Sequence, residues 1–337
     1  MEFKVGYSTS IEARRPMDAL VDIVRAEKLG FDSLWVEDHF HPWFEKTSDG
    51  RTAQSGFAWS WMGSALQATK KTPIGTAVTA PIMRYHPAVV AQAWATMGQM
   101  YPGRVMISVG TGEALNEIPT LGIGHMPSNT DRRNMTVEAT RLMKDLWASD
   151  RPVTFNGSFY KTRDAFLYTK SEKKIPVYFS GIGPMSVKAA ASCADHLLTT
   201  VIDPDMVKNL TIPAWNAGLK EAGRDPATAE VALLNWYSID EDYDRALKEL
   251  QIWGACLDLS VMKEHVHQSQ VCTDRACALD PKIVEKMFIC ATSVEELIKR
   301  VEQYRKAGIT HMIMGNSSPN TNRGMDALKE VMDAFKS

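Results

Sequence analysis

A chain of 337 residues with 45% hydrophobic and 23% charged side chains can bury a sizeable core, which excludes a disordered or fibrous protein. Its formal charge of −2, from 38 basic and 40 acidic residues without a basic stripe, argues against a nucleic-acid partner. Five cysteines lacking CxxC spacing, no room for a signal peptide before a strand at Phe3, and no apolar run near the roughly 20 residues of a membrane span predict a cytoplasmic protein with no membrane partner.

The first predicted strand, "FKVGYS" (3–8), leads to a helix over Met17 to Leu29, where Leu20, Ile23, Val24 and Leu29 recur at turn spacing. "DSLWVEDHF" (32–40) is the second strand, and Pro42 to Phe57 follows it as an insertion. After the third, "PIGTAVTA" (73–80), the helix Pro87 to Met100 opens with proline at a first-turn position. "VMISVGTG" (105–112), "PVYFSG" (176–181), "HLLTTV" (196–201), "VALLNWYS" (231–238) and "HMIMGNS" (311–317) complete eight β-rich runs, each followed by helical spacing. A second insertion, polar and His-containing, covers roughly 257 to 281. An α/β chain with eight such repeats and no composition break predicts a single (β/α)8 TIM barrel domain over 1–337, with its catalytic groups at the C-terminal strand ends. A doubly wound open sheet is the runner-up, but it calls for a Gly-rich turn after the first strand, which "GYSTSIEARRP" lacks.

On this reading polar groups collect at one rim: Ser8 and Glu12; Asp38, His39 and Trp43; Thr79; Gly110 to Glu113; Ser180 and Gly181; Thr199 and Thr200; Trp236; and Asn316. They predict one pocket lined by carboxylates, an imidazole and indoles. For Asp38 and Glu113 the structural alternative is helix capping or a surface ion pair. His39 and His41 lie two apart, as a metal-dependent hydrolase could use them on one side of a strand. Partners are missing, however: His196 and His311 fall at strand starts, and Pro42 breaks strand geometry just after His41, so no metal is expected. "VGTGEALNE" offers Gly110 and Gly112 for close backbone approach to a ring or a phosphate, with Glu113 and Asn116 at a helix start. "FSGIGPMS" is a second Gly-rich strand end before a Pro-initiated helix, and the two together favour a phosphate-bearing cofactor. Among nine tryptophans, Trp35, Trp59 and Trp61 are read as packing; Trp43, Trp236 and Trp253 lie at or beyond strand ends and suit a small, weakly polar substrate.

Taken together, "DHFHPW", "TAPIMRYHPAVVAQAWATM", "YPGRV" with "VGTGEALNE", and "LTIPAW" resemble the luciferase-like barrel family of deazaflavin-dependent oxidoreductases, along nearly the whole chain. The resemblance implies a modified barrel holding coenzyme F420 at its C-terminal mouth, with FMN, used by other members, as the alternative cofactor. Matched by motif, Asp38, Thr79, Gly112, Asn116, Ile182, Gly183, Met185 and Ser186 fall on coenzyme-binding positions, and Ala77 and Val78 on a non-prolyl cis peptide against the ring. His39 falls on the general base for an alcohol proton, Trp43 on the residue that steadies the alcohol oxygen, Glu113 on a carboxyl that exchanges a proton with the reduced ring, and Glu12 on a further active-site carboxylate. These residue types suit the roles: an imidazole of pKa about 6.5 accepts a proton at neutral pH, Asp38 or Glu12 would tune it, and Glu113 needs burial to carry a proton.

One branch of that family oxidises sugar phosphates and grips the phosphate with a Thr, two Lys and an Arg. Here Thr200 keeps the Thr, but Asp203 stands at a Lys position and Met287 at the Arg position. Another branch, from methanogenic archaea, acts on secondary alcohols within a tryptophan-walled pocket, matched by Trp236 and Trp253. The resemblance therefore implies a homodimer that oxidises a small secondary alcohol to a ketone; a sugar-phosphate dehydrogenase and a non-catalytic coenzyme-binding protein remain the alternatives.

Overall fold

The computed structural model describes residues 2–200 and 203–336. Its strands are β1 (Lys4–Thr9), β2 (Ser33–Val36), β3 (Ile74–Thr79), β4 (Val105–Val109), β5 (Val177–Ser180), β6 (His196–Thr200), β7 (Val231–Ile239), β8 (Ile289–Ala291) and β9 (His311–Asn316). All but β8 coincide with the eight runs read from the sequence. Each pairs in parallel with the next, β6 with β7 and β7 with β9, and β9 returns to β1 through Lys4↔His311 to Ser8↔Gly315. The result is a closed eight-stranded (β/α)8 barrel. β8 lies outside that circuit and pairs with the far end of β7, Tyr237↔Ile289 to Ile239↔Ala291. This explains why β7 runs to nine residues: its first part serves the barrel and its end serves β8. Three residues, "ICA", are too few for an alternation to register in the sequence.

The strands are apolar on both faces, as a parallel sheet enclosed by helices requires. Side chains pointing inward, among them Trp35, Met106, Tyr178, Leu198, Ala232, Leu234 and Ile313, fill the barrel. The outward set meets the helices, and Ile23, Trp94, Trp215 and Tyr304 are fully buried in that layer. Two helix predictions can be compared directly: Pro87–Met100 has the expected bounds, and the first helix, Pro16–Leu29, starts one residue earlier, with Pro16 in its first turn.

At the N-terminal end of the strands a buried polar group closes the barrel floor. His311 donates or accepts at Ser33 Oγ (2.7 Å) and meets Glu230 Oε2 at 3.0 Å, Tyr178 donates its hydroxyl to the same carboxylate at 2.8 Å, and Lys4 Nζ reaches Glu230 Oε1 at 2.5 Å. These contacts occupy His311 and Glu230 at the end opposite the candidate site.

Of the two insertions, 42–57 carries one antiparallel bridge, Lys46↔Thr52. The 257–281 stretch forms helices Leu259–Lys263 and Ser269–Ala278, whose Val261, Cys272 and Ala276 pack with Trp43, Phe44, Leu115 and Trp253 in a second apolar cluster above the strands. No helix among the described residues is long and apolar enough to cross a membrane.

Candidate active site

The C-terminal ends of β1, β2 and β4 bring three sequence-predicted residues together. His39, just past β2, has Nδ1 hydrogen-bonded to Glu12 Oε1, while Glu12 Oε2 accepts the backbone N–H of Trp43 at 3.0 Å. On the other side of the ring, Nε2 lies 3.4 Å from Glu113 Oε2, an ionic contact that is not a hydrogen bond. The imidazole is 12% exposed and Glu12 is 1% exposed, so this clamp is largely dry. Burial by itself works against the imidazolium, but the charges of Glu12, Glu113 and Glu37 outweigh it and raise the His39 pKa from 6.5 to about 9. Burial also pushes the Glu113 carboxyl above its usual range, with His39 pulling the other way. Although the Glu113 side chain is 30% exposed overall, its Oε2 faces inward without a hydrogen-bond donor. The indole of Trp43 stands edge-on to His39, ring centres 6.4 Å apart.

Asp38 points the other way. Its Oδ2 accepts from the Thr79 hydroxyl (2.7 Å) and Trp59 Nε1 (3.1 Å), and its Oδ1 faces Arg84 Nη2 and the Tyr85 hydroxyl, both at 3.3 Å. The carboxylate is therefore saturated by protein, and it anchors β3 where that strand departs from regular pairing. The register slips there between Thr76 and Thr79, and the Ala77–Val78 peptide is cis. The bulge presses Val78 towards β4 so closely that a Cβ on Gly110 would sit 2.6 Å from Val78 Cγ2. Gly112, at φ +71°, then turns the chain into helix Ala114–Leu121, with Glu113 at its N-cap but making no side-chain cap bond. Helix capping thus does not account for Glu113. Asn116 is buried, and its Oδ1 accepts the N–H of Phe40 at 2.6 Å, tying the β4 loop to the β2 loop.

After β5, Gly183 precedes helix Pro184–Ala191, and Ile182 and Met185 leave their apolar side chains 46% and 67% exposed. Ser186 follows in the first turn. Thr200 ends β6, and Trp236 on β7 packs in a tilted arrangement against Trp253, ring centres 5.0 Å apart; Trp253 Nε1 donates to Ser317 Oγ at 3.0 Å. His41 diverges from His39: its Nδ1 meets the carbonyl of His267 in the inserted segment at 2.8 Å. Among the described residues, no three His, Cys, Asp or Glu side chains are grouped to hold a metal ion.

A family model described as luciferase-like monooxygenase matches residues 3–311. The chain belongs to that family. Among its luciferase-like relatives, the F420-dependent glucose-6-phosphate dehydrogenase of Mycolicibacterium fortuitum is 36% identical over 334 residues, 98% of this chain and 97% of the relative. A solved structure of an F420-dependent secondary alcohol dehydrogenase, in complex with an F420-acetone adduct, superposes with a TM-score of 0.96 at 49% identity, covering 100% of both chains. The coenzyme F420-dependent tetrahydromethanopterin reductase from Methanopyrus kandleri superposes with a TM-score of 0.79 at 21% identity over 100% of both chains, a likeness of fold.

Several side chains that shape this luciferase-like site escaped the sequence reading. Arg84 donates to the Asp38 carbonyl at 2.7 Å, and its N–H to Glu117 Oε2 at 3.1 Å; Glu117 is fully buried, and burial lifts its pKa to about 7. Arg132 donates to the carbonyls of Thr111 (3.0 Å) and Gly112 (2.8 Å), holding the turn that carries Glu113. Glu37 lies beneath Glu12. Only Glu37 left a usable trace: it is two residues before His39, at the spacing that places strand side chains on one side.

Proposed function

We propose that this chain is an F420-dependent secondary alcohol dehydrogenase, oxidising a small secondary alcohol to its ketone. The observation that carries this reading is the imidazole of His39 clamped between Glu12 and Glu113 at the barrel mouth, beside Trp43. A planar deazaflavin fits the residues present. The β3 bulge, with no room for a Cβ at Gly110, offers a backbone surface; Ile182 and Met185 offer exposed apolar contacts; and the inward Oε2 of Glu113 awaits a donor. Asp38, Ala77, Val78, Thr79, Gly112, Asn116, Gly183 and Ser186 would line the remainder, with Asp38 also bracing β3 through the Thr79 hydroxyl. When bound, the coenzyme supplies a two-electron acceptor for the hydride of the carbinol carbon.

The chain's own work is to position the alcohol and move its proton. With Nδ1 held by Glu12, His39 has Nε2 for the hydroxyl proton. Trp43 steadies the oxygen through its indole N–H as charge develops on it. Glu113, whose carboxyl burial pushes above its usual range, is the group that would exchange a proton with the coenzyme. Trp236 and Trp253 wall the pocket against water and favour a small apolar alcohol.

The 49%-identical relative with its acetone adduct supports this substrate class. The 36%-identical sugar-phosphate relatives favour a second reading, sugar-phosphate oxidation. Against it, Asp203 stands at a position the sugar-phosphate branch fills with Lys, accepting the N–H of Met206 at 2.9 Å and lying 3.8 Å from an exposed Lys286 Nζ, and position 287 is an uncharged Met. An acid there repels a phosphate dianion. We further take the protein to be cytoplasmic, in line with its free cysteines, and a homodimer, as the family resemblance implies; light scattering in solution tests the dimer.

Purified protein mixed with F420 and 2-propanol should bleach the deazaflavin absorbance, and glucose 6-phosphate should not. Bleaching by the sugar phosphate alone would overturn the branch assignment, and a flavin spectrum in the protein as purified would replace F420 with FMN.

A further inference from the structure

Two carboxylates on His39 account for its clamp, yet a third, Glu37, is buried directly behind them. Its Oε1 accepts the Ser10 hydroxyl at 2.8 Å and the backbone N–H of Glu12 at 3.0 Å. Ser10 Oγ in turn accepts the N–H groups of Glu12 (3.1 Å) and Ala13 (3.0 Å), so one carboxylate and one hydroxyl secure the whole turn after β1. Glu12 is thus gripped at both ends by residues that follow β2. Glu37 holds its backbone, while His39 and Trp43 hold its two carboxylate oxygens.

We propose that Glu37 is a positioning residue for the proposed reaction: its carboxylate fixes the 10–13 turn from which Glu12 reaches Nδ1 of His39, and so sets the orientation of the base. The inference rests on the alcohol dehydrogenase reading for its catalytic consequence. A purely structural carboxylate would be an odd choice here, because burying a second acid against Glu12 is costly. Burial and the charge of Glu12 lift the Glu37 pKa to about 7, so the site keeps this oxygen acceptor although its ionised form is disfavoured there. The groups facing Glu37 are Glu12 and Ser10 from the β1 turn and His39 from its own loop; those facing His39 are Glu12, Glu113 and Glu37.

The test compares Glu37→Ala with Glu37→Gln, which keeps the acceptor oxygen and removes the charge. Ring-nitrogen NMR of His39 in the coenzyme-free protein gives its titration; kcat/KM for 2-propanol with F420 gives the catalytic effect. Glu37→Ala should lower the His39 titration by about one pH unit or more as Glu12 swings free, and cut kcat/KM by on the order of tenfold to a hundredfold. Glu37→Gln should retain most of both. A wild-type titration in Glu37→Ala overturns the proposal, and so does Glu37→Gln as damaging as Glu37→Ala, since charge rather than position would then be at work. Should Glu37→Ala fail to fold, Ser10→Ala removes the other half of the turn's grip, and an unmoved titration there overturns the proposal equally. If wild-type protein oxidises no alcohol, the functional reading fails while the ring titration still decides what Glu37 does.

Discussion

Replacing Glu12 with glutamine separates the charge of the His39 clamp from its shape. In the intact site the imidazole titrates at about 9 rather than 6.5, a tilt towards the imidazolium of about 3 kcal/mol. Burial opposes that tilt, and Glu12 supplies the largest part of what overcomes it. Alcohol oxidation needs the neutral ring, so kcat/KM for 2-propanol should climb with pH and level off near 9; only about 1% of the sites carry a neutral ring at pH 7. Ketone reduction needs the imidazolium and should show the mirror image, falling above about 9. An ion partner at this range is worth roughly 1 to 3 pH units, so Glu12→Gln should move both breaks down by that amount. The plateau should fall as well, because a less basic imidazole is a poorer proton acceptor and a carboxamide has one acceptor oxygen for two partners, Nδ1 of His39 and the backbone N–H of Trp43. The assay is the pH dependence of F420 reduction by 2-propanol and of its reverse with acetone. A break that stays near 9 in the variant would refute the assignment of that break to His39.

Two further predictions concern stability and the coenzyme. Glu230→Gln on the barrel floor leaves His311 and Lys4 without their carboxylate and should cost about 3 kcal/mol by urea denaturation near neutral pH. Although burial opposes ionisation there, hydrogen bonds and charge from His311, and then Lys4, hold the Glu230 pKa well below 4.5; the stabilisation is therefore present above that value and is lost as pH falls through the lower, folded-state one, so the two proteins should converge in acid. Gly110→Ala drives a Cβ into Val78 and should weaken F420 binding by about tenfold or more, measured by fluorescence titration, with a stability loss of about 1–3 kcal/mol. The double variant with Val78→Ala should recover much of both, and no recovery would mean that the β3 bulge is not what the glycine protects.

Barrel strands and their order were legible because each strand is an apolar run flanked by helical spacing, a signal that survives in one sequence. β8 was not, since its three residues take their pairing from the overlong β7, a fact of register rather than composition. At the site, Glu12, His39 and Glu113 could be assembled once the barrel was assumed, because strand ends converge on one rim. The cis bond at Ala77–Val78 entered only through the family resemblance, as neither residue type hints at it. Arg84, Arg132 and Glu117 stayed hidden for a different reason. Each works through backbone groups distant in sequence, such as Arg84 on the carbonyl of Asp38 and Arg132 on that of Gly112, and periodicity does not report such partners. Asp38 had a motif but not its neighbours: its place in "DHFHPW" suggested contact with the coenzyme, while its protein partners Thr79, Trp59, Arg84 and Tyr85 come from segments the motif does not report.

The apolar cluster roofed by the second insertion divides the rim's labour. Trp43 and Trp253 belong to a hydrophobic unit with Val261 and Cys272 of the insertion, whereas the β3 bulge, Gly110 and the Ile182 to Ser186 turn draw on the barrel itself. His39 stands at the seam between these halves. A chain built this way can exchange one roof for another, and with it the shape of the molecule it oxidises, while the surface proposed for the coenzyme keeps its geometry; within one scaffold, substrate preference becomes a property of a replaceable part.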